Sequence, residues 1–595
     1  MCNPITFDGC FGWYHPGSAD LGVVLCAPHG HEELCAHRHW RAVAHNIAAR
    51  GLPVLRFDYP GTGDSADDDD TPGRVRAWIQ SIHNAAVALR AASGVERIAL
   101  VGLRIGAPLA LAAAEEMSDL AAIALLAPMT SGESCVRELR VLAMMATAKR
   151  HRGMQASTRT GNLEPAGFLY TKETLDDLRA LPLLRSGRRL AESILLLDRP
   201  NTTPDQEFRT RIRESGVELE EGVFEDYSLL LRDAGLSTYP HDGFGRLIDW
   251  LAARARPAAA RSSEVALSSV LALPDSNEIP AVFRDDPSSF GVLCTPHAVA
   301  AARPTLVFIN TGANHHIGMG RMTVTMARRL AAIGFTSFRF DIGGIGDSDS
   351  PPDRSDNHPI NPAAVADVRR VLDWLQGRGH SGFILIGVCS GGKLALHTTL
   401  EDKRVVGQML LNLQGFWKPA DPTNQYLSRR AYIRLALQPA TWKRVFRGDT
   451  NVRGIVNSMV ARAAALVSTN LQEALSRFRK QPGKRGAGLA VFRRLAARQV
   501  RTHFVYVEED PGLDEMEMMF GRDGRMLAEI PHVSMTFERD GDHVFSSERA
   551  RLRLFADVEQ AAIRMALPPP RKSRSARDHP SREALLPQHP PCDRP

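Results

Sequence analysis

The sequence has little cysteine, few aromatic residues and no long apolar run. Its 595 residues include 8 Cys at scattered positions, without a CxxC pair, and 6% aromatic residues. Scattered cysteines argue against a disulfide framework or a zinc module. No stretch reaches the roughly 18 uninterrupted apolar residues of a membrane-spanning helix, and the first 25 residues lack a basic start followed by an apolar run. We therefore expect a protein of the reducing cytoplasm.

The chain also lacks a large excess of charge of one sign. Its 73 basic and 67 acidic side chains give a formal net charge of +6, which predicts no whole-surface attraction to nucleic acid. The 44% hydrophobic and 24% charged residues are typical of a globular protein. At roughly 100 to 250 residues per domain, the length predicts two or more separate cores.

Two segments of the chain read alike at a separation of 283 residues. They are RGLPVLRFDYPGTGDS, which ends at Ser65, and IGFTSFRFDIGGIGDS, which ends at Ser348. A second pair, IALVGLRIGAPLALAAAE and FILIGVCSGGKLALHTTL, continues the match at an offset of 285, from Gly102 to Gly387. The offset between the two copies changes by only two residues from the first pair to the second, which indicates a duplicated fold.

Each copy alternates strands with helices, and the strands are apolar throughout. This pattern predicts an α/β fold with two mostly parallel sheets, each covered by helices on both faces. The segment RARPAAARSS, residues 254–263, has the composition of a linker. We predict one domain over residues 1–257 and a second over 265–566. Residues 567–595 are rich in Pro, Ser and charge, and we expect a disordered tail there.

A candidate nucleophile lies in the second copy, where an apolar strand runs into GVCSGG and then into a helix of small residues. This is the spacing of a G-x-nucleophile-x-G elbow, in which small residues let the strand and helix approach closely. The spacing puts Cys389 at the apex rather than Ser390. A thiol at a helix N-terminus is biased towards thiolate, its reactive form. A small buried apolar cysteine is the plain alternative.

With these motifs the sequence resembles the α/β-hydrolase superfamily over most of residues 20–255 and 300–560. The cysteine elbow is similar to the G-x-C-x-G form of dienelactone hydrolases and polyhydroxyalkanoate synthases. The combination of FRFD–GIGDS, GVCSGG, EEDPGLDEM and GDHVFS more closely resembles bacterial hydrolases found with exopolysaccharide and exosortase systems. The resemblance implies two tandem domains, each with a helical cap insertion, and leaves the substrate open.

The superfamily's chain order of nucleophile, acid and histidine directs attention downstream of Cys389. The predicted strand THFVYV ends near Asp510, our candidate acid, while Glu508 and Glu509 are close enough to substitute for it. His543, in GDHVFS, is the candidate base, which Asp510 would orient and which would take the thiol proton. A surface loop histidine is the plain alternative for His543.

An oxyanion hole is expected to combine the backbone N–H of Ser390 with one from the loop after the first strand of this copy. The residues that could supply the second donor are Thr311, Gly312 and Ala313. His315 and His316 could instead be a metal pair, but adjacent residues face apart and no third ligand motif accompanies them. We therefore expect no metal and no cofactor.

In the first copy the elbow reads GLRIG, with Arg104 in place of the nucleophile. Asp198 keeps something like the acid, but the matching region has no histidine, since His241 comes a few residues late. Because arginine cannot attack a carbonyl at neutral pH, this half is expected to be non-catalytic. Arg104 would pair with an acid such as Asp198 or hold an anionic ligand, and an internal ion pair is the plainer of the two.

A predicted cap insertion of the second domain spans about residues 416–500. It contains 17 Lys plus Arg against three acids, a local charge of +14. Three interpretations stay open: a solvated lid face, a funnel for an anionic substrate, and a surface that rests on anionic lipid.

These features favour an esterase or thioesterase that acts on a small molecule through a Cys-His-Asp triad and an acyl-enzyme intermediate. An acyltransferase with the same triad is one alternative. A pseudoenzyme that binds a ligand or a partner is the other.

Overall fold

The computed structural model describes most of both halves. It covers residues 2–118, 120–149, 161–181, 184, 188–257, 268–283, 288–298, 303–352, 356–357, 363–416 and 484–567. The predicted linker after residue 257, most of the predicted cap (417–483) and the predicted tail beyond residue 567 lie outside these ranges. None of the helices in them has the length and apolar composition that a membrane crossing requires.

The first half folds around an eight-stranded sheet of order β1-β2-β4-β3-β5-β6-β7-β8. Its strands are β1 Asn3–Phe7, β2 Cys10–His15, β3 Leu21–Cys26, β4 Val54–Phe57, β5 Arg97–Leu103, β6 Leu120–Leu126, β7 Ser193–Asp198 and β8 Glu218–Val223. Its helices are α1 His31–Ala49, α2 Arg74–Ser93, α3 Gly106–Ala114, α4 Gly132–Lys149, α5 Lys172–Ala180, α6 Gln206–Glu214 and α7 His241–Ala252. The central strands β3, β5 and β6 are buried along their length, as expected of parallel strands that are covered on both faces.

The second half repeats this arrangement in a nine-stranded sheet of order β17-β16-β15-β14-β12-β13-β11-β10-β9. Its strands are β9 Leu271–Ala272, β10 Ser276–Phe283, β11 Ser289–Pro296, β12 Thr305–Ile309, β13 Ser337–Phe340, β14 Phe383–Val388, β15 Val405–Leu411, β16 Arg501–Val507 and β17 Val533–Glu538. Its helices are α8 Met322–Ala332, α9 Ala364–Gln376, α10 Ser390–Glu401, α11 Lys484–Ala497, α12 Pro511–Phe520, α13 Arg525–Ala528 and α14 Glu548–Ala566.

The predicted fold class is confirmed, because strands β3 to β8 and β12 to β17 form parallel ladders in matching order. The sequence analysis did not anticipate the antiparallel strands that precede each copy, β1–β2 and β9–β11. These strands extend each sheet at one edge. They also bring the two halves together, because Trp13 on β2 packs against Phe290 on β11 with ring centroids 4.7 Å apart.

The repeated RFD and GDS motifs meet across the junction of the two halves. Arg339 donates hydrogen bonds to Asp64 of the first copy, the closer at 2.8 Å, and Arg56 donates to Asp347 of the second. Each arginine therefore pairs with the aspartate of the other copy. The motifs that the two copies share therefore form a reciprocal, buried interface between them.

Candidate active site

The turn between β14 and α10 is an elbow with Cys389 at its apex. Cys389 has φ 53° and ψ −113°, which is strained for a residue with a side chain. Only glycine fits on either side of it. A Cβ on Gly387 would lie 2.1 Å from a backbone carbon of Gly391, and a Cβ on Gly391 would lie 2.6 Å from the carbonyl oxygen of Asn310. This close approach of strand and helix projects the thiol outward, and Cys389 is half-buried.

The first turn of α10 gives the thiol an electropositive neighbourhood. The first amides of a helix have no intrahelical acceptor, and their partial positive charge favours an anion at Cys389. Lys393 lies one turn further on and interacts electrostatically with Cys389. Both features place positive charge near the sulfur, where negative charge resides when cysteine attacks a carbonyl.

Asp510 lies after β16, at the position that caps α12. Its side chain is buried, and its Oδ1 accepts a hydrogen bond from the Gly512 amide at 2.7 Å. Its Oδ2 lies 2.6 Å from Nδ1 of His543. Since a carboxylate can only accept, Nδ1 carries the proton in this bond, and the opposite nitrogen, Nε2, is left for another partner.

His543 is half-buried and lies between Asp510 and Cys389. Burial opposes protonation of its ring. The charge and hydrogen bond of Asp510, together with the interaction with the Cys389 side chain, outweigh this and hold the pKa of His543 well above its ordinary value. The structure thus brings together the three residues that the sequence analysis selected: thiol, imidazole and carboxylate.

The neighbouring acids are arranged differently. Glu508 is partly exposed, and its nearest cation is Arg539, with 3.9 Å between Oε1 and Nε. Glu509 is buried. In the described part of the chain, the carboxylate that hydrogen-bonds His543 is that of Asp510.

Two supporting residues after β15 were missed by the sequence analysis. Asn412 donates from Nδ2 to the carbonyl oxygen of His543 at 2.9 Å and accepts from the Val507 amide at 2.8 Å. Gln414 donates from Nε2 to Oδ1 of Asp510 at 3.3 Å and lies 3.2 Å from Nδ1 of His543. Their only signal in the sequence is a pair of amides, Asn-Leu-Gln, directly after a buried strand.

The predicted oxyanion loop touches the elbow. The Gly312 amide donates to Oγ of Ser390 at 2.9 Å, and Ser390 itself is buried. The hydroxyl of Ser390 is therefore engaged in holding this loop, which also carries Thr311 and Ala313. The Ser390 amide, at the start of α10, faces no acceptor within its own helix.

The equivalent elbow of the first half holds Arg104, with φ 56°. Arg104 is buried and donates from Nε to Glu32 at 2.9 Å and from Nη2 to Glu138. Arg104 thus forms the internal ion pair that the sequence analysis favoured, but Asp198 is the wrong partner, because it accepts from Arg209 instead. Helices α1 and α4 bring the glutamates closer to the elbow than the end of β7 brings Asp198.

The two adjacent histidines of the second half have separate partners. His316 is fully hydrogen-bonded, with Nδ1 2.8 Å from Asp341 and Nε2 2.6 Å from Asp64. His315 lies beside α1 of the first half, stacked on His37 with ring centroids 3.8 Å apart. The two rings of the pair are nearly perpendicular, with 83° between their planes and 5.4 Å between their centroids.

Comparisons with known families give a match in each half. The alpha/beta hydrolase family matches residues 306–557, and the family described as serine aminopeptidase, S33, matches residues 20–196. The second of these matches contains Arg104 at its elbow. No curated protein matches the chain.

Three solved structures similar to this chain are distant from it. A putative alpha/beta hydrolase from Agrobacterium tumefaciens has 12% identity and a TM-score of 0.29, covering 49% of this chain and 100% of its own. An alpha-beta serine hydrolase homologue from Coxiella burnetii has 11% identity and a TM-score of 0.28, covering 48% and 95%. A Pyrococcus furiosus esterase has 11% identity and a TM-score of 0.30, covering 49% and 93%. At these scores they carry no argument about activity.

The two family matches lie in tandem, on two sheets whose parallel strands follow the same order. The chain consists of two α/β-hydrolase domains joined in one polypeptide.

Proposed function

We propose that the second domain hydrolyses an ester or thioester through Cys389, His543 and Asp510. One observation carries this proposal: the thiol at the apex of a strained elbow lies beside an imidazole that a buried carboxylate orients. That is the arrangement of nucleophile, base and orienting acid that acyl transfer requires.

In the acylation step, the sulfur of Cys389 attacks the substrate carbonyl carbon, and the thiol proton resides on His543. The raised pKa of His543 favours this ion pair of thiolate and imidazolium. A carbon–sulfur bond forms, and the carbonyl oxygen becomes an oxyanion. The bond to the leaving group then breaks, and His543 returns the proton to the departing alcohol or thiol.

In the deacylation step, His543 removes a proton from water, and the resulting hydroxide attacks the acyl-cysteine. The carbon–sulfur bond breaks, which releases the carboxylic acid and restores the thiol. Throughout, the negative charge on the oxygen would be held by the Ser390 amide and by an amide of Thr311 to Ala313. Because the Gly312 amide faces the Ser390 hydroxyl, we place Thr311 or Ala313 as the second donor.

The substrate class follows from charge in the sequence. Residues 416–500 carry a local charge of +14, and Lys393 adds a cation next to the thiol. As the cap that the resemblance to α/β-hydrolases implies, this basic segment would attract an anionic acyl group or leaving group. We therefore propose a small anionic ester or thioester as the substrate.

Active-site probes test the nucleophile. The purified full-length chain is incubated with an iodoacetamide probe and, separately, with a fluorophosphonate probe, and labelled peptides are mapped by mass spectrometry. Fast iodoacetamide labelling confined to Cys389, and slowed by substrate, supports the proposal. Labelling of Ser390 by the fluorophosphonate would move the nucleophile by one residue and contradict it.

Product analysis separates hydrolysis from its alternatives. Esters and thioesters with and without a negative charge are supplied together with hydroxylamine or a simple alcohol. Free acid as the main product supports a hydrolase, while transfer that exceeds hydrolysis indicates an acyltransferase. If no substrate is cleaved and Cys389→Ala leaves every measured property unchanged, the chain is a binding protein.

A further inference from the structure

A second group of reactive side chains lies at the junction of the two domains, apart from the proposed active site. Glu33 and His37 are one turn apart on α1 and share a face of that helix. His315, from the loop after β12, reaches the same point from the second domain. One ligand atom from each of these three residues lies within 4.8 Å of the others.

His315 is the unusual member of this group. Its side chain is 4% exposed, and in the described part of the chain neither ring nitrogen has a hydrogen-bond partner. Nε2 lies 3.5 Å from Oε2 of Glu33, which is too long for a good hydrogen bond. A buried imidazole without hydrogen bonds costs free energy, so a ligand for it is called for.

The neighbouring His316 shows what a satisfied histidine in this junction looks like. Its two nitrogens contact Asp341 and Asp64 at 2.8 and 2.6 Å, so both are hydrogen-bonded. The two histidines are adjacent in sequence and equally buried. The difference between them is that the ring of His315 is stacked on His37, with Nε2 3.5 Å from Glu33, instead of belonging to a closed hydrogen-bonded network.

His37 has the second contact that metal-binding histidines usually have. Its Nε2 lies 3.1 Å from Oδ2 of Asp347, and Arg56 in turn donates to that aspartate. A carboxylate on one ring nitrogen fixes the ring and leaves the other nitrogen to face a metal. In His37 that other nitrogen is Nδ1, which lies 2.6 Å from Oε1 of Glu33, so a metal ion would replace the proton that these two side chains share.

We propose that Glu33, His37 and His315 bind a divalent transition-metal ion that joins the two domains. Two imidazole nitrogens and one carboxylate oxygen form a donor set that suits Zn²⁺. Two ligands come from the first domain and one from the second, so the ion would cross-link them.

The position of His315 links the proposed metal site to the active site, and this step rests on the proposed function. His315 lies three residues after Gly312, whose amide holds Ser390 beside the nucleophile. A metal bound at His315 would fix this loop from the first domain. The non-catalytic half would then help to position an oxyanion donor of the catalytic half.

The test is metal binding by the full-length chain. The protein is stripped with a chelator and dialysed, Zn²⁺ alone is added, and bound zinc is counted by mass spectrometry after gel filtration. We expect one tightly bound ion per chain. X-ray absorption of the zinc-loaded wild-type chain is expected to show two imidazoles and no sulfur. A wild-type chain that retains no zinc, or zinc ligated by sulfur, overturns the proposal without any variant.

Variants locate the site. We expect His315→Gln and His37→Gln to weaken zinc binding by at least about 100-fold, because loss of a residue that only supports a metal ligand already costs up to about that much. His45→Gln is the matched control, because His45 belongs to a separate cluster with Cys2 and His15. Loss of zinc in His45→Gln, or its retention in a folded His315→Gln, overturns the proposal. Zinc binding is scored independently of ester cleavage, so the site can stand even if the proposed function fails.

Discussion

The two elbows of this chain have nearly the same backbone and opposite chemistry. Arg104 and Cys389 have φ values of 56° and 53°, and each lies between a buried strand and a helix of small residues. The first half has kept this strained conformation without a nucleophile. The strain is therefore explained by the close packing of strand and helix, while reactivity depends on the side chain at the apex and its neighbours.

The acids after the equivalent strands β7 and β16 show the same divergence. Asp510 is buried and holds His543, whereas Asp198 accepts from Arg209. In the first half, arginines occupy the places of both the nucleophile and the acid's partner. The carboxylate that orients a histidine in the second half therefore has a counterpart in the first half that is neutralised by an arginine.

The sharpest test of this contrast is removal of the thiol. Cys389→Ala is expected to lower kcat/KM for ester cleavage by at least about 10⁴-fold, because loss of a catalytic nucleophile costs several orders of magnitude. Cys2→Ala is the matched control, since Cys2 is also half-buried but lies far from the elbow in sequence. If Cys389→Ala keeps more than a tenth of the wild-type rate, catalysis does not reside at this elbow.

The acid gives the next largest effect. Asp510→Asn is expected to lower kcat by about 10³- to 10⁴-fold with little change in KM, as removal of the orienting charge does in serine proteases. Steady-state kinetics with one ester substrate measure this. Glu508→Gln is expected to stay within a few-fold of wild type. A larger loss in Glu508→Gln than in Asp510→Asn would show that Glu508, and not Asp510, is the catalytic acid.

Much of this contrast was visible in the sequence because it is local. Elbow spacing selected Cys389 and Arg104, and strands that end in acids selected Asp510. The partners of Arg104 were not visible, because Glu32 and Glu138 reach the elbow from helices α1 and α4, which come before and after it in the chain. Analogy with the end of β7 suggested Asp198 instead, and tertiary packing decided otherwise.

Interactions between the two copies were the part that sequence reasoning could not reach. The RFD and GDS motifs are readable as a repeat, but their reciprocal pairing across the junction depends on how the domains dock. His315 was considered as a metal ligand and set aside for want of a third residue. The nearby residues, Glu33 and His37, come from a helix nearly 280 residues earlier, beyond the reach of any local motif.

The junction itself is not symmetric, which predicts unequal stability effects. Arg339 donates to two buried carboxylates, Asp64 and Glu278, so Arg339→Met would remove a charged partner from both, leaving His316 to Asp64 and Arg328 to Glu278, and cost about 3 to 5 kcal/mol. Among the described residues the counterpart Arg56 donates to one carboxylate, that of Asp347, which His37 also contacts. Arg56→Met is therefore expected to cost less. Urea unfolding of both variants measures this, and equal shifts in midpoint would contradict the asymmetry.

Arg104→Met tests the structural role of the first elbow. Its glutamate partners are partly exposed, so the expected loss is smaller, about 1 to 3 kcal/mol. Adding Glu32→Gln should restore part of the stability, because a carboxylate that has lost its cationic partner is removed. Ester cleavage per folded molecule is expected to be unchanged in both. An unchanged urea midpoint in Arg104→Met would show that the ion pair does not stabilise this half.

The smallest expected effect concerns the acid sensitivity of the junction. Burial opposes ionisation of Glu278, but Arg339 and Arg328 outweigh it and lower the pKa of Glu278 to about 2. A carboxylate with a lowered pKa in the folded state stabilises the fold above its ordinary pKa, and this stability is lost as the pH falls towards 2. Between about pH 5 and pH 3, Glu278 should account for about 1 to 2 kcal/mol of the loss.

Glu278→Gln is therefore expected to start from a lower thermal midpoint near neutral pH and to lose less of it on acidification. Asp249→Asn is a suitable control, since Asp249 is well exposed on the first domain and makes a surface ion pair with Arg50. If the thermal midpoint of Glu278→Gln falls with pH in parallel with that of wild type, Glu278 does not account for the acid sensitivity of the junction. The two sides of the junction would then not differ in this respect.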